Sequence, residues 1–431
     1  MYLRRKPKWS MTRKRYRVNK FTVAILLILI AAMTYVNRVI VPTIPPPFVP
    51  TPTATRSPES FIVDAEIAFN EGKLSKSVEL YQQAIRANPQ NDAVYAAMGR
   101  VQIFAALYDD ALESADKAIL LNANNPRAHA IRAWALDFKG DYLAAEAAVK
   151  RALELDSNSG FIHAIYTEIL VDSALSGTGP LENLTVKAAE SSRLALSLEP
   201  NAIETHRARG YVLEATANYP EAIAEYQAAI AINPNIADLH LALGRNYRFT
   251  QVYDLAVDEF NRANTLNPSD PNPDRLISRT YATIGEFAKA AQYAESAVKD
   301  APADASLRGN YGVMLFYTAD FQESATQLGL AINGGSTEDG AEIEAIPFST
   351  DSRVVEYYFT YALALARVNR CGEAIPIANN ILGRVSDELS LANAQKALDT
   401  CAANLAATPT PTSTPEIATT ETATATATPT P

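Results

Sequence analysis

Alanine stands at positions 84, 118, 152, 195, 229, 263, 297 and 331, and six of the seven intervals are 34 residues. A second column of small residues runs Ser77, Ala111, Ala145, Ala188, Ala222, Ala256, Ala290, Ser324 and Ala374. A third runs Ala65, Gly99, Ala133, Thr167, Gly210, Gly244, Ser278, Gly312 and Ala362. Small side chains at fixed helical positions let two helices approach closely, and larger residues such as Tyr81, Val149, Tyr226 and Phe260 fill the space between them. Prolines at 89, 200, 234, 268 and 302 stop the second helix of their units, because proline cannot donate the bond that continues a helix. Each unit has apolar faces that only its neighbours can cover, so the period predicts an all-α solenoid of stacked helix hairpins.

The same columns locate two insertions. From Ala145 to Ala188 the second-helix column jumps by 43 residues, which places nine extra residues inside unit four, in the Ser, Gly and Pro run at 173–183. The stretch from Ser336 to Asp351 separates units eight and nine and carries Glu338, Asp339, Glu342 and Glu344. Both are expected to be loops. An apolar-patterned segment at 387–406 follows unit nine and predicts a capping helix.

The flanks of the repeat have a different character. Residues 21–41 are almost wholly apolar, broken by Asn37 and Arg38, and as a helix they span roughly 30 Å, the thickness of a hydrocarbon core. Nine Lys and Arg lie in residues 1–20 with no acid among them, so a retained anchor places that tail in the cytoplasm and everything after residue 41 outside it. A cleaved secretory signal is the competing reading, and it also exports the body. Residues 42–58 hold seven prolines and read as a semi-rigid stalk, while Thr408 to Pro431, with eleven Thr and five Pro, read as an unstructured tail at 407–431. Beyond residue 20 there are 29 basic residues against 48 acidic ones, a balance that argues against a nucleic-acid partner. Exported Thr/Pro-tailed repeats suit a bacterial envelope.

The repeat residues resemble the tetratricopeptide repeat, whose pattern is an aromatic, then Leu-Gly, Tyr, Ala, Phe, Ala and Pro at fixed offsets. Residues 237–270 carry Leu243-Gly244, Tyr247, Ala256, Phe260, Ala263 and Pro268 at those places, with His240 where the family often has Trp. Residues 203–236 follow with Gly210, Ala222, Tyr226, Ala229 and Pro234. The resemblance implies a right-handed α-solenoid of about nine hairpins over 59–406, non-catalytic, binding a protein or peptide. It also implies that groove positions two, five, nine, twelve and thirteen of the units hold Arg100, Phe104, Arg127, Trp134, Phe138, Arg207, Tyr211, Arg245, Arg248, Phe249, Arg275 and Arg279. Arginine and aromatic residues make binding hot spots, so this lane suits a peptide with acidic groups. The alternative is a solvated face in which the arginines pair with Glu168, Glu204, Glu214 or Asp238. The family's carboxylate clamp is not reproduced, Arg245-Asn246 being its nearest echo.

Two other functions fit the same architecture. In a carbohydrate- or envelope-polymer-binding adaptor, Trp134, Phe138, Tyr211 and Phe249 would stack on sugars. In an accessory subunit of a membrane enzyme complex, the apolar helix itself would be recognised.

The sequence offers little for chemistry. Phosphate loops, nucleophile elbows and His-Glu-x-x-His are missing, so neither catalysis nor a cofactor is expected. His129, His163, His206 and His240 recur at the fourth residue of four successive first helices, but helices stacked 8 to 10 Å apart cannot focus them on one metal ion, so they are expected to pack at hairpin edges. Cys371 and Cys401 flank an antiparallel helix pair at similar distances from its turn. In an exported domain they predict a disulfide, worth about 3 kcal/mol for a loop of this length, although buried free thiols fit the same geometry.

Overall fold

The computed structural model describes residues 19–40 and 56–407. The basic tail up to residue 18, residues 41–55 of the apolar end and stalk, and the tail from residue 408 lie outside the described residues. The chain divides after Arg56 into two units. The first contains helix α1 (Lys20–Tyr35), which continues as a π-helical turn, Val36–Ile40. Asn19 caps α1 by accepting a hydrogen bond from the Phe21 amide at 3.1 Å. With 21 residues at a mean hydropathy of 2.2, this helix is long and apolar enough to cross a membrane.

The second unit is a stack of helix hairpins. Hairpin one pairs α2 (Pro58–Asn70) with α3 (Leu74–Ala87), hairpin two α4 (Asp92–Phe104) with α5 (Tyr108–Leu121), and hairpin three α6 (Pro126–Phe138) with α7 (Tyr142–Leu155). Hairpin four pairs α8 (Gly160–Leu175) with α9 (Ala189–Leu198), five α10 (Ile203–Ala215) with α11 (Tyr219–Ile232), and six α12 (Ala237–Phe249) with α13 (Tyr253–Leu266). Seven pairs α14 (Asn272–Thr283) with α15 (Phe287–Asp300), eight α16 (Ala305–Tyr317) with α17 (Phe321–Asn333), and nine α18 (Ser352–Arg367) with α19 (Cys371–Leu382). Helix α20 (Glu388–Ala407) packs on the last pair as a cap. The protein is thus an α-solenoid of nine hairpins among the described residues, as the 34-residue period predicts.

The small-residue columns lie where the two helices of a hairpin touch. Ala111, Ala145, Ala222, Ala256, Ala290, Ala362 and Ala374 are buried, and Tyr81, Val149, Tyr226 and Phe260 fill the space beside them. At the two serines of the second column the contact is also polar: Ser77 Oγ donates to Ala65 O at 2.7 Å and Ser324 Oγ to Gly312 O at 2.8 Å. A β-carbon on Gly244 would sit 2.5 Å from a Phe260 ring atom, so only hydrogen fits there. Each of the five expected stop prolines falls two residues beyond its helix: Pro89 after Ala87, Pro200 after Leu198, Pro234 after Ile232, Pro268 after Leu266 and Pro302 after Asp300.

The first insertion is more ordered than a loop, and the second is a loop held by a short ladder. In hairpin four, Ser173, Ala174 and Leu175 extend α8 to 16 residues instead of beginning a loop, and a π-helical segment, Asn183–Ala188, leads into α9. The nine added residues therefore lengthen both helices and leave a turn between them. Between hairpins eight and nine, β1 (Gly335–Ser336) pairs antiparallel with β2 (Glu342–Ile343). Ile343 is buried against Ala331, and the Ile346 amide donates to Ala331 O, so this segment is pinned to the end of α17.

The early hairpins also curl onto later ones. Asn233 Nδ2 donates to Phe69 O at 3.2 Å and Asn235 Nδ2 to Asn70 O at 3.1 Å. Gly72, at φ 74°, lies against Asn235, where a β-carbon would come within 2.4 Å. Hairpin one thus touches the connection between hairpins five and six, and one core cluster runs from Ala65 and Phe69 to Ile203, Ile236 and Leu239.

Candidate functional site

The expected lane of arginines and aromatic rings divides into two halves with opposite electrostatics. In the N-terminal half, acids on other first helices answer the arginines. Arg100 Nε meets Glu204 Oε1 at 2.5 Å, and the Arg100 guanidinium lies 4.5 Å over the Phe69 ring. Burial opposes ionisation of Glu204, but Arg100 outweighs it and holds the carboxyl below the usual range. Arg207 pairs with Glu168 and, at 2.9 Å, with Asp238. Arg245 Nε meets Glu214 Oε1 at 2.9 Å, and Tyr226 and Asn246 also donate to Glu214. The four acids named as possible partners, Glu168, Glu204, Glu214 and Asp238, are therefore all engaged. Among the described residues no carboxylate lies within ion-pairing distance of Arg127, which stacks 4.4 Å over Phe161.

Trp134 is not available to a ligand. It is 1% exposed, its Nε1 donates to Glu168 Oε2 at 2.7 Å, and Phe104 and Phe161 meet it edge-on. An indole at groove position nine turns inward here because Glu168, 34 residues later, supplies a buried acceptor for its N–H. Phe104 is packed between Phe69 and Trp134. Phe138 and Phe249 keep open faces, each stacked on a second ring, Tyr108 at 4.6 Å and Tyr219 at 4.8 Å.

Between these first helices lies a cavity of about 290 Å³, with Asp137, Glu168, Asp172, Arg207, Tyr211 and Arg245 in its wall. Tyr211 donates its hydroxyl to Asp172, whose carboxylate neighbours Asp137. Burial first, then the neighbouring Asp172 and Glu168 carboxylates, push the Asp137 carboxyl well above the usual range. Burial likewise raises Glu168 to about 7, against the opposing pull of Arg207 and Trp134.

In the C-terminal half the arginines face one another. Arg248, Arg279 and Arg353 line a second cavity of about 300 Å³ with Phe287, Asn310, Tyr317 and Glu356. Burial first, then Arg353, Arg248 and Arg275, lower the Arg279 guanidinium to about 10. Arg353 pairs with Glu356 at 2.6 Å, and Arg275 donates to Asn272 Oδ1. Among the described residues no carboxylate pairs with Arg248, Arg275 or Arg279. Arg248 Nε and Asn310 Oδ1 are buried without a hydrogen-bond partner among the described residues.

Three site residues escaped the sequence reading, for two different reasons. Asp137 and Asp172 occupy groove positions twelve and thirteen of their units, so the register that selected the arginines could have selected them as well. Arg353 lies outside the register because α18 begins before the repeat position at which the other first helices start.

The histidines form a structural column: the Nε2 atoms of His129, His163, His206 and His240 each bond the carbonyl six residues earlier, at 2.8 to 3.0 Å. Arg308 Nε makes the equivalent bond to Pro302 O. Cys371 and Cys401 form a disulfide, with Cα atoms 5.4 Å apart, joining the start of α19 to α20.

Models described as tetratricopeptide repeat match residues 68–135, 126–159 and 276–336, and one described as TPR repeat matches 218–248. Human tetratricopeptide repeat protein 28 is 33% identical over 92 residues, which is 21% of this chain and only 4% of that relative's length. Among solved structures, the human IFIT1 dimer with PPP-AAAA aligns over 81% of this chain and 84% of its own at 14% identity and a TM-score of 0.51, a likeness of fold. Pseudomonas aeruginosa pilF aligns over 47% of this chain and 88% of its own at 18% identity, with a TM-score of 0.39. With the 34-residue columns, the nine hairpins and four matching repeat segments in agreement, the chain belongs to the tetratricopeptide-repeat family.

Proposed function

We propose that this protein is a non-catalytic, membrane-anchored adaptor that holds an acidic segment of a partner protein in the groove of hairpins six to nine. The observation that carries this reading is the cluster of Arg248, Arg275, Arg279 and Arg353, which among the described residues has Glu356 as its one ion-paired acid. Gathering like charges on a half-buried surface is unfavourable, and an anionic ligand relieves it. Arg100, Arg207 and Arg245 are neutralised within the chain and hold the solenoid together instead. The helix at 20–40, with nine basic residues in the first twenty, supports an anchor with a cytoplasmic N-terminus and an exported solenoid, and the Cys371–Cys401 disulfide suits an oxidising compartment.

The test is fluorescence anisotropy of a labelled Asp/Glu-rich peptide with the full chain in detergent. Changing Arg248, Arg275 and Arg279 together to Glu should weaken binding at least about tenfold and abolish its salt dependence. Equal affinity of the variant and the original protein would sink the proposal. Binding of an uncharged glycan that is lost on Phe138→Ala and Phe249→Ala would favour a polymer-binding adaptor instead.

A further inference from the structure

The arginine groove has a matching occupant within the chain itself. Three stretches lie outside the described residues, 1–18, 41–55 and 408–431, and only the last contains an acid, at Glu416 and Glu421. The first is basic and the second uncharged. Beyond Lys396 the chain has no Lys, Arg or His, so the tail holds nothing to neutralise its own glutamates. The groove has the opposite imbalance. Arg248, Arg279 and Arg353 line its cavity, Arg275 adds its charge from α14, and Glu356 is the one acid among the described residues that line it.

The tail begins within reach of this surface. Asn404, three residues before the end of α20, donates through Nδ2 to Ala366 O at 2.8 Å, so the chain leaves the cap beside the C-terminal end of α18. Arg353 stands thirteen residues earlier on that helix, about 20 Å along its axis. An extended chain covers about 3.1 Å per residue, so the nine residues from Ala407 to Glu416 can span about 28 Å and the fourteen to Glu421 about 43 Å. The first glutamate can therefore meet Arg353, and the second can go on to Arg279 and Arg248. The match extends beyond charge. Pro415 sets a pyrrolidine ring next to the Glu416 carboxylate, and the cavity sets the stacked Phe287 and Tyr317 rings, 4.5 Å apart, among its arginines. Exposed aromatic rings are the surfaces on which proline-rich segments dock, and Tyr317 is 48% exposed.

We propose that residues 408–421 of the chain's own tail occupy the arginine groove when no partner is bound, with Glu416 and Glu421 against Arg353, Arg279 and Arg248 and Pro415 on the Phe287–Tyr317 rings. This rests on the groove being a site for acidic segments, and it adds that a partner enters by displacing the tail. Tethering lets weak contacts suffice. A short linker gives an effective concentration on the order of 1 mM, so a segment that binds as a free peptide with a Kd of about 0.1 mM is docked roughly 90% of the time. The apparent affinity of a partner falls by the fraction of open grooves, about tenfold at that occupancy.

Two measurements on the full chain in detergent test this. In the first, a glutamyl endopeptidase, which cuts after Glu, is added, and release of fragments 417–431 and 422–431 is followed by mass spectrometry. At low salt these bonds should be cut at least about fivefold more slowly than in a free peptide of residues 408–431. The difference should vanish at about 0.5 M salt, and also when Arg248, Arg275 and Arg279 are changed together to Gln. In the second, Glu416→Gln with Glu421→Gln, which leaves every hairpin residue as it is, should tighten binding of the labelled Asp/Glu-rich peptide by about the same factor as the protection. Cleavage as fast as in the free peptide overturns the proposal, as does protection that survives both salt and the arginine substitutions. Protection that depends on the arginines, with no Asp/Glu-rich peptide bound even by the double Gln variant, upholds the docked tail and overturns the partner site instead.

Discussion

At the scale of single residues, the unusual feature is how many buried ionisable groups favour their protonated form. Burial raises Asp137 well above the usual carboxylate range, Glu168 to about 7, and Asp274 to about 6 with help from Asp300. The hydrogen bond that His206 Nδ1 donates to Glu225 raises His206. A group whose pKa is higher in the folded state contributes stability that is complete below its unfolded value and lost as the pH rises through the folded one. All four act in the same direction, so the thermal midpoint followed by circular dichroism should be higher at about pH 5.5 than at about pH 8. Asp137→Asn should flatten that slope. A midpoint that climbs with pH over this window would contradict the assignment. The acids responsible were legible only in part: Glu168 was named as a possible partner of the arginines and Asp137 was passed over, and the burial of both depends on hairpins three to five closing around them.

At the scale of elements, the nine hairpins were readable because small residues recur where helices cross, and the stop prolines recur where second helices end. The turns inside the hairpins carry a less obvious regularity. Gly72, Ala106, Gly140, Ala217, Gln251, Gly285, Ala319 and Asn369 all hold positive φ at equivalent places. A residue with a β-carbon is strained there and glycine is not, so Ala106→Gly, Ala217→Gly and Ala319→Gly should each stabilise by about 0.5 to 1 kcal/mol, net of the added freedom of the unfolded chain. The triple variant should raise the thermal midpoint by a few degrees, and a fall would show that these turns tolerate alanine without strain. The lengthened α8 escaped the sequence reading because Ser173 was grouped with the Ser, Gly and Pro run that follows, although the glycine and proline breakers begin only at Gly177.

At the scale of the solenoid, contacts far apart in sequence decide which groove residues remain free. Arg100 reaches Glu204 across 104 positions, and Asn233 reaches Phe69 across 164. Removing one partner of a buried pair leaves an uncompensated charge, so Arg100→Ala should lower unfolding stability by about 3 to 5 kcal/mol. Urea titration measures this, and small-angle scattering should report expansion as hairpins one and two loosen from five. Arg132→Ala serves as the control, because the Arg132–Asp116 pair at 2.8 Å is exposed and should cost less than about 1 kcal/mol. Equal losses in the two variants would mean that the Arg100–Glu204 contact does not fasten the curl.

The sequence by itself determined the period, the hairpin count, the apolar helix, the cysteine pair and the surface on which the arginines fall. These are local or nearest-neighbour properties: a 34-residue repeat specifies how each hairpin meets the next, whatever lies further along. Only the tertiary structure decided which arginines are neutralised, why Trp134 is buried, and that acids and cations gather at two separate cavities. Those outcomes depend on the curvature accumulated over five or six hairpins, and a small change in angle at each junction decides whether Glu204 meets Arg100.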